Sequence, residues 1–254
     1  MRRTTVLATL TAMAVVAALI PATAAQAASG AGWSGSWSYY LDDNYTFNAT
    51  LPGVQVVGYG SDSGGHRVVG ASLVDTAADG RCARVGFFGE AFNELASRTV
   101  CDGEPYVTFS FSVFGGHQIA LQRVDGPSGS VDKALFMNVP GSGHDPELRR
   151  SGTGASWNFY TDRDYQFSVQ RPGVRLTGFG NRSVAVGTVE HTGGVACAQA
   201  TVFDLSDGSA DTARTCNPGG SDTLAVFGLG AGIHAQVCVD PTSFCTGIDV
   251  PEPF

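Results

Sequence analysis

Hydrophobic and polar positions alternate with a period of two through most of this chain. Trp37, Tyr39 and Leu41 interleave with Ser38, Tyr40 and Asp42, and Tyr45, Phe47 and Ala49 resume the pattern after the turn cluster Asp42-Asp43-Asn44. That period, carried by aromatic and β-branched residues, predicts half-buried strands joined as hairpins. Pro52-Gly53 supplies the next turn, because proline presets one dihedral and glycine accepts a positive one. Val54 to Tyr59 form a third strand, in which Gly58 and Gly60 suggest a bulge or tight bend. Further strands are expected over 67–75, 82–88, 106–114, 118–124 and 134–139. The segment 90–98 has weak helical character and its later counterpart 205–213 is polar, so both are read as loops.

The pattern is then repeated. Ser36 to Gly60 returns 120 residues later as Ser156 to Gly180, with 11 of 25 aligned positions identical. Among them Trp37, Tyr40, Asp42, Tyr45 and Phe47 match Trp157, Tyr160, Asp162, Tyr165 and Phe167. Late in each copy, Val124-Asp125 is aligned with Val239-Asp240. Such a period marks an internal duplication. The first unit is placed at residues 34–140 and the second at 154–251, with a linker of glycine and charged residues at 141–153. About eight short strands per unit, with no helix of core length, exclude a parallel sheet, whose crossovers need helices. The expected fold is all-β: two tandem antiparallel β-sandwich units related by internal duplication.

Residues 1–27 read as a signal peptide. Arg2 and Arg3 precede an apolar stretch from Val6 to Ile20, and Ala25-Gln26-Ala27 forms the cleavage site. The stretch is shorter than the ~20 residues that span a bilayer, so the expectation is a secreted, extracellular protein with no membrane association after cleavage. A Gly/Ser-rich leader, 28–35, is expected to be mobile. The mature chain keeps 13 basic against 23 acidic side chains, a formal charge of −10, and one lysine, Lys133. No basic cluster is present to hold a phosphate backbone, which excludes nucleic acid as a partner.

Six cysteines in an exported chain point to disulfides. Cys82 and Cys101 are separated by 19 residues, as are Cys197 and Cys216, so one bridge is expected within each unit. Cys238 and Cys245 remain and would clip a short local loop. No spacing supports a metal site, and no cofactor is expected. The acidic turns at Asp42 and Asp162 are read as ordinary turn chemistry rather than calcium ligands.

Candidate chemistry is sparse. Asp62-Ser63-Gly64-Gly65 resembles the nucleophile segment of chymotrypsin-like proteases over four residues, but the A-A-H-C run carrying that family's base histidine is missing. Histidines 66, 117, 144, 191 and 234 are scattered. The segment Val74 to Val85, together with the alanine-rich signal, resembles hairpins of exported actinobacterial β-rich proteins of unassigned function; that resemblance implies export and a sandwich-like fold and carries no activity. By alternation Tyr40–Asp42 and Tyr160–Asp162 lie on the face opposite the core residues Trp37 and Trp157, where a tyrosine beside a carboxylate suits a sugar ring or a peptide. The structural alternative, which the residues favour, is a tyrosine whose hydroxyl ties down a nearby loop, as in the tyrosine corner of Greek-key sandwiches. The expected function is therefore non-enzymatic binding of an extracellular polysaccharide or protein, with avidity from two linked units. The alternatives are a secreted hydrolase with a site between the units, or a proteinase inhibitor presenting the Cys238–Cys245 loop.

Overall fold

In a computed structural model the described residues are 32–41, 44–61, 66–89, 93–102, 106–114, 117–139, 152–161, 163–230, 232–239 and 245–251. The expected signal peptide and nearly all of the expected linker lie outside them. Among the described residues nine strands precede the expected linker: β1 (Ser34–Leu41), β2 (Asn44–Leu51), β3 (Val54–Ser61), β4 (His66–Asp75), β5 (Cys82–Gly89), β6 (Glu94–Cys101), β7 (Val107–Phe114), β8 (His117–Val124) and β9 (Val131–Val139). Nine follow it: β10 (Gly154–Phe159), β11 (Tyr165–Arg171), β12 (Val174–Gly180), β13 (Val184–His191), β14 (Ala198–Asp204), β15 (Ala210–Thr215), β16 (Ser221–Phe227), β17 (Gly232–Val239) and β18 (Cys245–Pro251). The described residues contain no helix, and every strand pairing is antiparallel.

The strands form three sheets. Two have four strands each, ordered β6-β5-β8-β9 and β15-β14-β17-β18. The third has ten, ordered β16-β13-β12-β11-β10-β1-β2-β3-β4-β7. Each strand of the first half has its counterpart nine elements later, so this order reads the same from either end. The halves meet at β1 and β10, where Ser36 pairs with its own counterpart Ser156, and Gly35 and Trp37 pair with Trp157 and Ala155. The register is therefore that of a local two-fold axis through Ser36 and Ser156. Two sheet halves that could each have ended in an open edge close that edge against one another.

Burial follows the alternation. Trp37, Tyr39, Tyr45, Phe47, Leu51, Val54 and Val56 point inward and are almost wholly buried, as are Trp157, Phe159, Tyr165, Phe167, Val169, Val174 and Leu176. Phe47 meets Phe87 of the facing four-stranded sheet edge-on, with ring centroids 6.1 Å apart. The neighbouring rings run Trp37–Tyr39–Tyr45–Phe47 in one half and Trp157–Phe159–Tyr165–Phe167 in the other. Each half is thus layered sheet on sheet, and the buried side chains of both form one contiguous core.

Four details depart from the sequence reading. Gly58 and Gly60 make no bulge: the β2–β3 register is unbroken, and the rings of Phe47 and Tyr45 lie where their Cβ atoms would stand. An aromatic ring laid across a cross-strand glycine fills the missing side-chain volume, and Phe167 on Gly178 and Tyr165 on Gly180 repeat the device. Part of each expected loop forms an edge strand, β6 and β15, and this raises the strand count to nine per half. Their wet surfaces leave no hydrophobic period, with only Val100 buried in β6 and Ala213 and Thr215 in β15. Trp33, expected in a mobile leader, is 4% exposed. Finally, Cys82 pairs with Val124 whereas Ala198, one residue after Cys197, pairs with Val239. The structural counterpart of Val239 is therefore Arg123, one residue away from the sequence match. A one-residue slip exchanges the faces of a strand.

All six cysteines are paired, as Cys82–Cys101, Cys197–Cys216 and Cys238–Cys245. Cys82 and Cys101 face each other across β5 and β6, and Cys238 and Cys245 across β17 and β18. No helix among the described residues is long and apolar enough to cross a membrane.

Candidate functional site

Joining the halves through β1 and β10 creates one outward face that neither half has alone. Its central row crosses all ten strands: Thr108, Ser72, Val57, Asn48, Ser36, Ser156, Ser168, Thr177, Thr188 and Thr223 are successive register partners. Strand spacing of ~4.8 Å makes this row ~43 Å long. Nine of its ten side chains carry a hydroxyl or amide and none is charged. The inward parity is taken by the core aromatics, so the same alternation that buries Trp37 and Phe47 displays Ser36 and Asn48.

Flanking rows continue the chemistry with Thr46, Ser38 and Gln170 on one side and Thr50, Ser34, Asn158 and Gln166 on the other. Ser38 and Thr46 hydroxyls lie 3.4 Å apart, as do those of Ser72 and Thr108. The charged pair in these rows is Arg175 and Glu190, which satisfy each other through an Nε–H donated to Oε2 at 3.0 Å. Within these rows three large side chains interrupt the polar surface, Val57, Tyr59 and Phe179 at 48%, 60% and 55% exposed, and Phe227 stands exposed further along the same face on β16. Over the junction the face sinks into a shallow depression of about 420 Å³, bounded by Ser36, Ser38, Thr46, Asn48, Ser156, Ser168 and Gln170.

The tyrosines singled out by sequence also lie on this face. Tyr40 and Tyr160 are both exposed, but each sits four residues past its half's central serine, and the two strands run in opposite directions. Eight residue steps of ~3.4 Å place them ~27 Å apart, at opposite ends of the junction. They do not share a site. Tyr160 opens a tight turn in which its N–H donates to the Asp164 carbonyl, and the Thr161 hydroxyl accepts from the Asp164 N–H at 2.8 Å. Asp42 and Asp162 lie outside the described residues, as do Asp62 to Gly65.

The two histidines whose side chains are described, His191 and His234, do not converge. His191 is buried, with Nε2 at 2.9 Å from the Val195 carbonyl. His234 Nδ1 is 2.6 Å from Asp249 Oδ1 on the outer side of the second four-stranded sheet, beside Phe203. Among the described residues no hydroxyl is hydrogen-bonded to that imidazole. No group of three or more metal-ligating side chains occurs among them either.

Charge is concentrated away from the face, at the end of the first four-stranded sheet. Arg123 donates to Asp132, as does Arg81 at 2.5 Å, and Asp125 and Asp79 lie nearby. The hydrogen bond from Arg123 holds the Asp132 carboxyl below the usual carboxylate range. Burial raises Asp75, against an opposing hydrogen bond from the Ala77 N–H. In the core, burial and then the neighbouring Asp204 push the Tyr165 hydroxyl far upward, keeping it neutral. These groups brace the fold and none opens onto the ten-stranded face.

The chain matches no protein-family model, and no curated protein matches it.

Proposed function

We propose that this is a secreted, non-enzymatic protein that binds an extracellular polysaccharide over the outward face of its ten-stranded sheet. The observation that carries the reading is the row of hydroxyl and amide side chains running across both halves and centred on Ser36 and Ser156. Serine, threonine, asparagine and glutamine both donate and accept, which suits sugar hydroxyls that do the same. Neutrality matters equally. A chain with this excess of acid would be expected to spread charge over any face whose only task is solubility. A protein partner would favour an apolar core of contacts; the central row offers a single exposed valine, and the flanking rows two exposed rings, Tyr59 and Phe179.

The paired disulfides are compatible with an extracellular setting. The test is retention of the purified mature protein on insoluble cellulose, chitin and cell-wall material. The expected result is retention that changes little between low and high salt, because the contacts are uncharged. A carboxylate introduced at the centre of the row, Ser156→Glu, should release the protein. The Tyr40→Ala/Tyr160→Ala double variant tells whether the ends of the junction contribute. Failure to be retained on any polysaccharide, or turnover of glycoside, ester or peptide substrates by the pure protein, would overturn the proposal.

A further inference from the structure

The two halves of the outward face are not equal, and the inequality lies in one pair of symmetry-related rows. On the Ser38 side of the axis the register partners are Gly70, Tyr59, Thr46, Ser38, Gly154 and Gln170. Their counterparts on the other side are Val186, Phe179, Gln166, Asn158, Ser34 and Thr50. Glycine thus replaces valine at one point and serine at another, and threonine and serine replace glutamine and asparagine, while at the far end Gln170 stands where the other row has the smaller Thr50. The first row is a trough, and its counterpart is filled. The depression over the junction falls on the trough side, against Ser38, Thr46, Gly154 and Gln170.

The end of the trough carries a ring. Tyr59 leans across Gly70, with Cζ, the hydroxyl and Cε1 within 2.7–2.9 Å of the point where a Cβ would stand. The ring rests on bare backbone and stays 60% exposed. At the counterpart, Phe179 faces Val186, which carries a side chain where Gly70 has only the overlying Tyr59 ring. Resting on the proposed polysaccharide reading, we infer that a single neutral glycan chain lies in this trough, perpendicular to the strands. One sugar stacks on Tyr59, and the following sugars hydrogen-bond to Thr46, Ser38 and Gln170.

Three strand spacings of ~4.8 Å separate Thr46 from Gln170 and Tyr59 stands one strand beyond Thr46, so the trough with its terminal ring is ~19 Å long and spans a short oligosaccharide. No side chain from Tyr59 to Gln170 is charged, and Arg175, next in the row, is held by Glu190; this favours a neutral chain over an acidic one, since the −10 chain repels polyanions at long range. Adjacent strands turn by ~20–25° relative to one another, so ten strands cannot present one plane to a crystalline surface. A single chain can follow the groove of such a surface.

The experiment is calorimetric titration of the mature protein with soluble cellohexaose, chitohexaose, xylohexaose and mannohexaose, with an oligogalacturonate as the charged control. At least one neutral hexasaccharide should bind and the oligogalacturonate should not. Tyr59→Ala should weaken binding about three- to tenfold, the scale of one lost ring contact. Gly70→Val, which copies the filled row and displaces the ring, should do the same, whereas Phe179→Ala should leave affinity unchanged. Tyr59 is exposed, so its variant keeps the proposal testable should Gly70→Val fail to fold. Equal binding by wild type and Tyr59→Ala would overturn the trough assignment while leaving the polysaccharide reading intact. Retention on insoluble polysaccharide without binding of any hexasaccharide would do likewise. Loss of both kinds of binding would remove the parent reading as well.

Discussion

Gly58 tests the packing argument most directly. An added Cβ would lie 2.2 Å from Phe47 Cζ, 2.6 Å from Cε1 and 2.8 Å from the backbone oxygen of Gly70. Phe47 cannot swing aside cheaply, because it is 2% exposed and packs edge-on against Phe87. Overpacking of this kind costs about 1–3 kcal/mol. Against it stands the gain of about 0.5–1 kcal/mol that alanine brings over glycine in a strand interior. Gly58→Ala should therefore destabilise by about 1–2 kcal/mol, which for a chain of this size lowers Tm by roughly 2–8 °C. The assay is thermal and urea unfolding followed by circular dichroism with disulfides intact. A double-mutant cycle with Phe47→Leu isolates the ring: the alanine penalty should shrink by about 1 kcal/mol once the ring is shortened. Should Gly58→Ala raise Tm, or should the cycle show no coupling, the ring-on-glycine account is wrong.

Three further outcomes are expected. In the chain-entropy model the bridges closing 19 residues contribute about 3 kcal/mol each and the 7-residue clip about 2.4 kcal/mol; paired Cys→Ala variants should lower the urea midpoint more for Cys197/Cys216 than for Cys238/Cys245. The edge of β16 is guarded by Asp211, whose Oδ2 accepts from the Ala225 N–H at 2.8 Å. Asp211→Ala should cost about 1 kcal/mol and raise self-association in light scattering by opening an edge strand. The third outcome concerns pH. Asp132 and Asp207 titrate below the usual range, the first through its Arg123 hydrogen bond and the second through the backbone N–H of Ser209. A depressed carboxylate stabilises the fold above its unfolded-state value and loses that contribution as pH falls through its folded value. Asp75 is raised and acts in the opposite sense, opposing folding more as pH climbs through its folded value. Stability should fall on acidification below the ordinary carboxylate value of 3.8, and Asp132→Asn should flatten that slope in Tm measured against pH.

Alternation determined much of this protein before any coordinates. It assigned Trp37, Tyr39 and Phe47 to one side of their strands and Ser38 and Tyr40 to the other, and equal spacing paired Cys82 with Cys101 and Cys197 with Cys216. These are local properties: side-chain direction has period two along a strand, and a hairpin fixes its own register. What a strand pairs with beyond its hairpin is a different matter. Backbone hydrogen bonds are almost indifferent to side-chain identity, so nothing in Ser34 to Ser38 announces that β1 will join β10 and fuse two sheets into one. The edge strands β6 and β15 escaped for a related reason, since a strand wetted on its faces has no hydrophobic period to read. Gly58 and Gly70 are also silent in isolation: one receives a core ring and the other supports an exposed one, and only cross-strand register says which. The candidate face therefore had legible parts, the outward serines, threonines and amides. Its continuity, its axis and its single open trough were decided by how the two halves met.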